Sequence, residues 1–326
     1  MDSSNQTQQV IFRKIKPEES SLVARFQYDM AKETEGKELN QQEVTDAIDT
    51  IYKNPNIGFF LVGATTEEDK AISSELITFS HDIYRAINVW WFQSVFVEKQ
   101  FRGSGVFKGM FHEVEKINKD NQYPLRLYVE NENTRAQQVY QRLGMFDSNE
   151  IFIEDDFYFD DKIVYKHTND FVFSLADIQE AEQFKNYLKN SALETLMNKQ
   201  ITSIENTLKS IDFIMQQSDF GGIFVVKNSQ NSNIVGYLPV FYEISDWRNG
   251  IMIYIYDFRI LSELKEKTNL LNLVSSFMHF LKKSYNPKIR LTNIRWMIDE
   301  LCPFKNTIVE AGLELGHYRV YEKNKF

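Results

Sequence analysis

Two short patterns in this sequence hold residue types that could do chemistry. The first is Arg102-Gly103-Ser104-Gly105, which follows an apolar run ending at Val97. It precedes a segment in which Val106, Phe107, Met110, Phe111, Val114 and Ile117 recur at helical spacing. A strand, a loop with two glycines and then a helix is an arrangement that binds anions. The glycines let backbone amides approach closely, and the first helical turn offers unpaired N–H groups and a partial positive charge. The chemistry implied is a pyrophosphate cradle. The second pattern is Asn133-x-x-Ala136-x-x-x-Tyr140-x-x-x-Gly144, just after an apolar run over residues 125–129. Its spacing puts Ala136, Val139, Tyr140 and Leu143 on one helical face, with Gly144 as the cap that ends the helix.

The elements that must position these residues can be read from the hydrophobic period. Residues 10–15 alternate as a strand, and helices are expected over 19–30 and 42–53, the second with Val44, Ile48 and Ile51 on one side. Strands follow at 58–64, 71–80 and 89–97, then the glycine loop and its helix, the strand at 125–129, the helix at 133–143, and strands at 151–153 and 157–165. The second half runs through the same order. A strand starts at Asp170, helices span 178–189 and 203–217, and strands span 221–227, 234–242 and 251–260. A long helix over 269–284, a strand over 288–294, a helix ending near Glu310 and a last strand over 318–322 close it.

The chain therefore reads as a tandem repeat. His81-Asp82-Ile83-Tyr84-Arg85 before one central strand matches Ser245-Asp246-Trp247-Arg248 before the other, and Arg142-Leu143-Gly144 matches Glu310-Ala311-Gly312. A linker is expected over 160–169, giving domains of 1–165 and 166–326.

Composition excludes several classes. With 326 residues, 43% hydrophobic and 14% aromatic, the chain can fill two cores, which argues against disorder. A formal charge of -9 makes a nucleic-acid or anionic-membrane surface unexpected. One cysteine, Cys302, excludes an internal disulfide and fits a reducing compartment. The five histidines show no metal-ligand spacing, so no metal is expected. The polar N-terminus carries no signal-peptide pattern, and no apolar run reaches membrane-helix length, so a cytoplasmic location is expected.

The two patterns, in order and at this separation, resemble the cofactor motifs of the GNAT (GCN5-related N-acetyltransferase) family. The resemblance implies an α/β (α+β) class, with tandem GNAT folds, each a mixed, mostly antiparallel sheet flanked by helices. It implies acetyl-CoA as co-substrate and an amine acceptor, small molecule or protein, attacked directly in a ternary complex. Arg102, Gly103, Ser104, Gly105, Val106 and Phe107 would hold the pyrophosphate. Ser94, Val95, Phe96 and Val97 would pair with the pantetheine arm along a strand that bulges and splays from its neighbour. Asn133, with Ala136 in the same motif, would bond the arm or the opening, and Tyr140 would protonate the leaving thiolate. A backbone N–H near Val95 would polarise the carbonyl.

Two departures stand out. Phe107 sits where the family loop has a small residue, and its helical spacing points it into the core. Relatives place a Glu on the central strand as base, where this chain offers only Gln93. Glu130 and Glu132 are near the expected splay, and the base is left open. Trp90 and Trp91 either straddle the central strand, one ring toward the acceptor, or pack in the core alone.

The second half lacks the cofactor residues. Residues 261–268 contain no glycine and carry Glu263 and Glu266, while Leu301 and Ile308 stand opposite Asn133 and Tyr140. A degenerate, non-catalytic partner domain is expected. The leading reading is an N-acetyltransferase, and the alternative is a GNAT-fold scaffold without turnover. The acceptor and the oligomeric state are not legible.

Overall fold

The computed structural model describes residues 9–156, 163–190, 193–195, 203–285 and 290–324. The first half contributes β1 (Val10–Lys14), α1 (Ser20–Glu35), α2 (Gln41–Lys53), β2 (Gly58–Thr65), β3 (Ala71–Asp82), β4 (Ile87–Val97), α3 (Val106–Ile117), β5 (Leu125–Glu130), α4 (Thr134–Arg142) and β6 (Phe146–Asp156). The second half contributes β7 (Phe171–Leu175), α5 (Ile178–Lys189), β8 (Glu194–Thr195), α6 (Ile204–Gln216), β9 (Gly221–Asn228), β10 (Ile234–Ser245), β11 (Gly250–Ile255), β12 (Arg259–Ile260), α7 (Lys267–Lys283), β13 (Leu291–Asp299), α8 (Lys305–Glu310) and β14 (Glu314–Lys323). The expected strand at 157–165 and linker at 160–169 lie partly outside the described residues.

Local chemistry explains the helix ends. Asn40 caps α2, its side chain accepting from the N–H groups of Gln42 and Glu43, and the α2 face of Val44, Ala47, Ile48 and Ile51 is buried. Asp177 and Glu180 form a reciprocal capping box at α5. The first helix runs five residues past the expected stop at 30, because the first residue able to end it is Gly36, in the left-handed region at φ 63°.

One mixed sheet joins fourteen described strands in the path β1-β2-β3-β4-β5-β14-β6-β13-β11-β10-β12-β8, with β9 also on β10 and β7 on β9. Only β4–β5 and β11–β13 are parallel, each bridged by a helix, α3 or α7. The last strand of each half leaves its own half. β14 pairs with β5 of the first half, β6 pairs with β13 of the second, and β6 and β14 pair with each other at the centre.

Buried charge locks this exchange. Arg126 on β5 binds Glu322 on β14, and also reaches Asp82 at 3.0 Å. Arg85 binds both Asp82 and Glu322 at 2.8 Å. On the other side Arg295 of β13 pairs with Glu154 of β6 at 2.6 Å. The cores cross the repeat as well. Ile244 and Trp247 pack beneath α1 and α2, Tyr321 packs with α3 and α4, and Trp91 and Phe152 pack with Tyr254 and Phe184. Among the described residues no helix is long and apolar enough to cross a membrane.

A sheet shared in this way unfolds as one unit. Urea unfolding followed by circular dichroism and by tryptophan fluorescence is expected to give one coincident transition. Glu322→Ala, which leaves the buried Arg126 and its neighbour Arg85 with only Asp82 to share, is expected to lower stability by about 3–5 kcal/mol while keeping a single transition. Two separated transitions would contradict the exchanged sheet.

Candidate active site

The site begins with a fault in β4. The β3–β4 register runs from Asp82↔Ile87 to Leu76↔Gln93, then resumes at Ser74↔Phe96, so Ser94 and Val95 bulge out of the ladder. Ser94 takes a left-handed φ of 47° to do so. Its carbonyl accepts from Gln27 of α1 at 3.4 Å, which holds the bulge from below. On its other edge β4 pairs with β5 only from Trp90↔Leu125 to Phe92↔Leu127, after which the two strands part. Bulge and splay together open a slot lined by Phe92, Gln93, Ser94 and Val95 on one side and by Leu127, Tyr128, Val129 and Glu130 on the other.

Beyond β4 the glycine loop turns into α3. Gly103 and Gly105 have φ of 80° and 90°, where a side chain is strained, and a Cβ at either would meet nothing within 4 Å. Gly105 is the N-cap of α3 and has no side chain to cap it, so the N–H groups of the first turn keep the free donors that such ends carry. Arg102 donates to the Val97 carbonyl and forks onto Glu33 of α1 at 2.5 and 3.1 Å, so its charge faces a carboxylate of its own chain. Ser104 Oγ bonds the Phe101 carbonyl, and Val106 is buried. Phe107 turns inward as its spacing implied, edge-on to Tyr140 at 5.7 Å.

Asn133 lines the slot while its Oδ1 caps α4 through the N–H of Ala136. Tyr140, one α4 turn on, lines the slot too, and burial pushes its hydroxyl up to about 12, with Glu75 adding to the shift. Phe96 faces away, stacked on Phe26 at 5.1 Å, and Val97 packs toward α3. Of the sequence-derived residues, Ser94, Val95, Asn133 and Tyr140 thus meet at the slot, with Phe96, Val97 and residues 102–107 continuing from it. Both tryptophans are core residues. Trp91 is buried with its Nε1 donating to Ser80, and Trp90 lies in the opposite core layer, so neither ring reaches the slot. Glu130 lines it, whereas Glu132 is exposed outside it.

The second half closes the far side, and sequence reasoning did not name the residues that form this wall. The β10–β11 turn, Ser245-Asp246-Trp247-Arg248, reaches across and lines a cavity of about 490 Å³ together with Met252, Arg295 and Tyr318. Trp247 Nε1 donates to Gln27, the residue that holds the bulge. Asp246 is 6% exposed, and its Oδ2 has no hydrogen-bond partner. Burial lifts its carboxyl to about 6, opposed by the Ser94 side chain, backbone N–H groups and Arg248. Glu243 of β10 sits where Gln93 points, accepting from its Nε2 at 3.1 Å and from Thr78 at 3.2 Å, and burial raises it to about 8. The available signal was a turn carrying a tryptophan and two opposite charges, more than a turn needs for its own geometry.

The matching place in the second half has another shape. There β11 and β13 shift register once, between Ile251 and Met252, and then stay paired from Met252↔Asn293 to Ile255↔Trp296. Beyond them Asp257 is bound by Arg259 at 2.6 Å and by Thr195 at 2.7 Å, with Tyr84 of the first half donating to the Tyr256 carbonyl. No pocket-forming glycine precedes α7, whose N-cap is Glu266.

Residues 25–145 match the acetyltransferase (GNAT) family. Among solved structures, the chain is similar to a possible acetyltransferase from Clostridium difficile 630, at 32% identity over 42% of this chain and 91% of that one, with a TM-score of 0.39. A GCN5-related N-acetyltransferase from Sphaerobacter thermophilus aligns over 96% of this chain and 95% of its own at 12% identity, TM-score 0.57. A tandem GNAT protein from the clavulanic acid biosynthesis pathway aligns over 97% and 98% at 9% identity, TM-score 0.55. The last two show the fold across both halves. No curated protein matches the sequence.

One carboxyl beside the slot makes a prediction about stability. Glu75 of β3 is buried with neither oxygen hydrogen-bonded, and burial raises it well above the usual carboxylate range. The folded state keeps its proton where the unfolded chain has lost it, so wild-type stability falls as pH rises above about 4.3. Glu75→Gln is expected to remove that contribution. Urea unfolding should show the variant gaining about 1–3 kcal/mol on the wild type between pH 4 and pH 8. An identical pH dependence would contradict the burial of an unpartnered acid.

Proposed function

We propose that this chain, which belongs to the acetyltransferase (GNAT) family through residues 25–145, transfers an acetyl group from acetyl-CoA to an amine bound in the cleft between its halves. The observation that carries this reading is the convergence of three features on one line. The β4–β5 splay, the Ser94 bulge and the uncapped α3 N-terminus follow one another along β4 and its loop. A strand edge, two backbone donors outside a ladder and an amide cradle are what an extended arm, a carbonyl and a pyrophosphate require in that order.

The residues present fit such a group. The left-handed glycines leave the cradle free of Cβ atoms, and the slot is already parted without a ligand. The amides of residues 103–107 would hold the pyrophosphate, and the free edge of β4 from Ser94 to Val97 would pair with the arm. When bound, the coenzyme thioester supplies an activated acyl carbon and a sulfur leaving group. The backbone N–H of Val95, released from the ladder, would orient the carbonyl oxygen. Tyr140 keeps its proton at neutral pH, since burial raises it, and so is suited to donate that proton to the departing sulfur. Phe107 shields this point from water on the α3 side.

We assign one such site per chain. The β11–β13 pairing, which continues to Ile255↔Trp296 after one register shift beside Ile251, and the Asp257–Arg259 pair support a second half without a cofactor slot, which serves as the wall of the acceptor cleft. The ternary arrangement follows from the shape, because the cleft side that faces Ser94 belongs to a different element set from the β4 edge used by the arm.

Acetyl-CoA at about 100 times its dissociation constant is expected to stabilise the protein by about 2.7 kcal/mol, read as a rise in Tm. Gly105→Glu, which puts a carboxylate into the cradle at a strained φ, is expected to abolish the rise. Lack of any response in the wild type would remove the acyltransferase reading. Tyr140→Phe is expected to lower kcat by about 10²-fold with acetyl-CoA affinity within about twofold. Loss of affinity instead would make Tyr140 a packing residue.

A further inference from the structure

Resting on the acetyl-transfer reading, we propose that the second half supplies the base. Asp246 takes the proton from the acceptor, and the acceptor is a small amine that enters the cleft as a cation.

The β10–β11 turn reaches the cavity beside the fault in β4. Its tip lies against the Ser94 bulge, where the acyl carbon would sit, and Asp246 is buried there with one carboxylate oxygen unbonded and the side chain lining the cavity. A buried carboxylate oxygen without a partner is costly, and a ligand N–H group would satisfy it. The other acids of the cavity are engaged or distant from the bulge. Glu35 pairs with Lys37 at 2.7 Å, Glu154 with Arg295 at 2.6 Å and Asp156 with Arg248 at 2.5 Å. Glu33 holds Arg102. Glu130 sits at the end of β5, across the splay from Ser94.

Gln93 cannot take a proton, and its amide is held by Glu243, again from the second half. Two acids of one strand and its turn therefore have separate tasks. Glu243 fixes Gln93, and Asp246 faces the cavity. Burial raises both carboxyls above the usual carboxylate range.

The same wall defines the substrate class. Lining the cavity are six carboxylates, Glu33, Glu35, Glu130, Glu154, Asp156 and Asp246, against three fixed cations, Lys37, Arg248 and Arg295. That excess favours a cationic guest. The cavity volume of about 490 Å³ suits a small molecule. For each acetyl group moved, one C–N bond forms and one C–S bond breaks. Starting from the ammonium, the nitrogen loses two protons, one to Asp246 before attack and one to solvent water as the amide forms, while the sulfur gains the proton that Tyr140 donates, so one proton is released in net. Exchange with solvent then returns both side chains to their starting states.

The test compares the full-length wild type with Asp246→Asn, a near-isosteric change. Calorimetry with butylamine, spermidine and glucosamine, without coenzyme at pH 7.5, is expected to show at least one amine binding the wild type and binding the variant about tenfold more weakly. Acetyl-CoA affinity should agree within about twofold between the two proteins. In turnover followed by thiol release, the variant is expected to lose about 10²-fold or more with butylamine. With trifluoroethylamine, which is already neutral at the assay pH, it should lose less than about tenfold. Equal amine binding by the two proteins, equal losses with both amines, or no amine binding by the wild type would each overturn the proposal. Failure of acetyl-CoA to bind either protein would count against the transfer reading, and the coenzyme-free amine titration would still decide the role of Asp246.

Discussion

The exchange of β6 and β14 is the constraint on which the rest of this molecule depends. Each half ends in a strand that completes the other half's sheet, and the two meet at the centre of one continuous ladder. Backbone pairing alone would permit other partners, because strand ladders are weakly specific unless side chains fix the register. The buried set of Arg126, Asp82, Arg85 and Glu322 supplies that register, since a shifted strand would leave charges unpaired inside the protein. With the halves locked in this way, the β10–β11 turn is held against the β4 bulge.

That contact links stability and function. Gln27 joins the Ser94 carbonyl to the Trp247 indole, so the bulge in the first half and the turn in the second are held by the same side chain. A left-handed serine costs free energy unless its surroundings fix it, and here those surroundings include the other half. The cleft is therefore a joint product of the repeat. One side of it comes from β4, β5 and α4, and the opposite wall comes largely from β10, β11, β13 and β14.

Much of this was legible in the sequence, and the reasons differ by residue. Most of the element order followed from hydrophobic period and glycine position, with Gly105 and Gly144 marking a helix start and a helix end, while β8 was not read and β11 and β12 were read as one strand. The inward turn of Phe107 followed from its spacing with Met110 and Phe111. The exchange of β6 and β14 was not legible, because a strand's alternation states which face is buried and never which neighbour it pairs with. The same gap hid the acids. Glu243 and Asp246 lie some 150 residues from Gln93 and Ser94, and only the cross-repeat contact brings them together. Trp91 shows the converse, an aromatic on the central strand that serves the core, packed there and bonded to Ser80. The turn around Asp246 was recognised as a turn, but its tryptophan and charges had a meaning only at the opposing half.

The central claim is that a tandem chain carries one coenzyme A site, built by the first half and walled by the second. Calorimetric titration of the full-length protein with acetyl-CoA measures this directly through its stoichiometry. One molecule bound per chain is the predicted result. Two molecules per chain, or none, would contradict it.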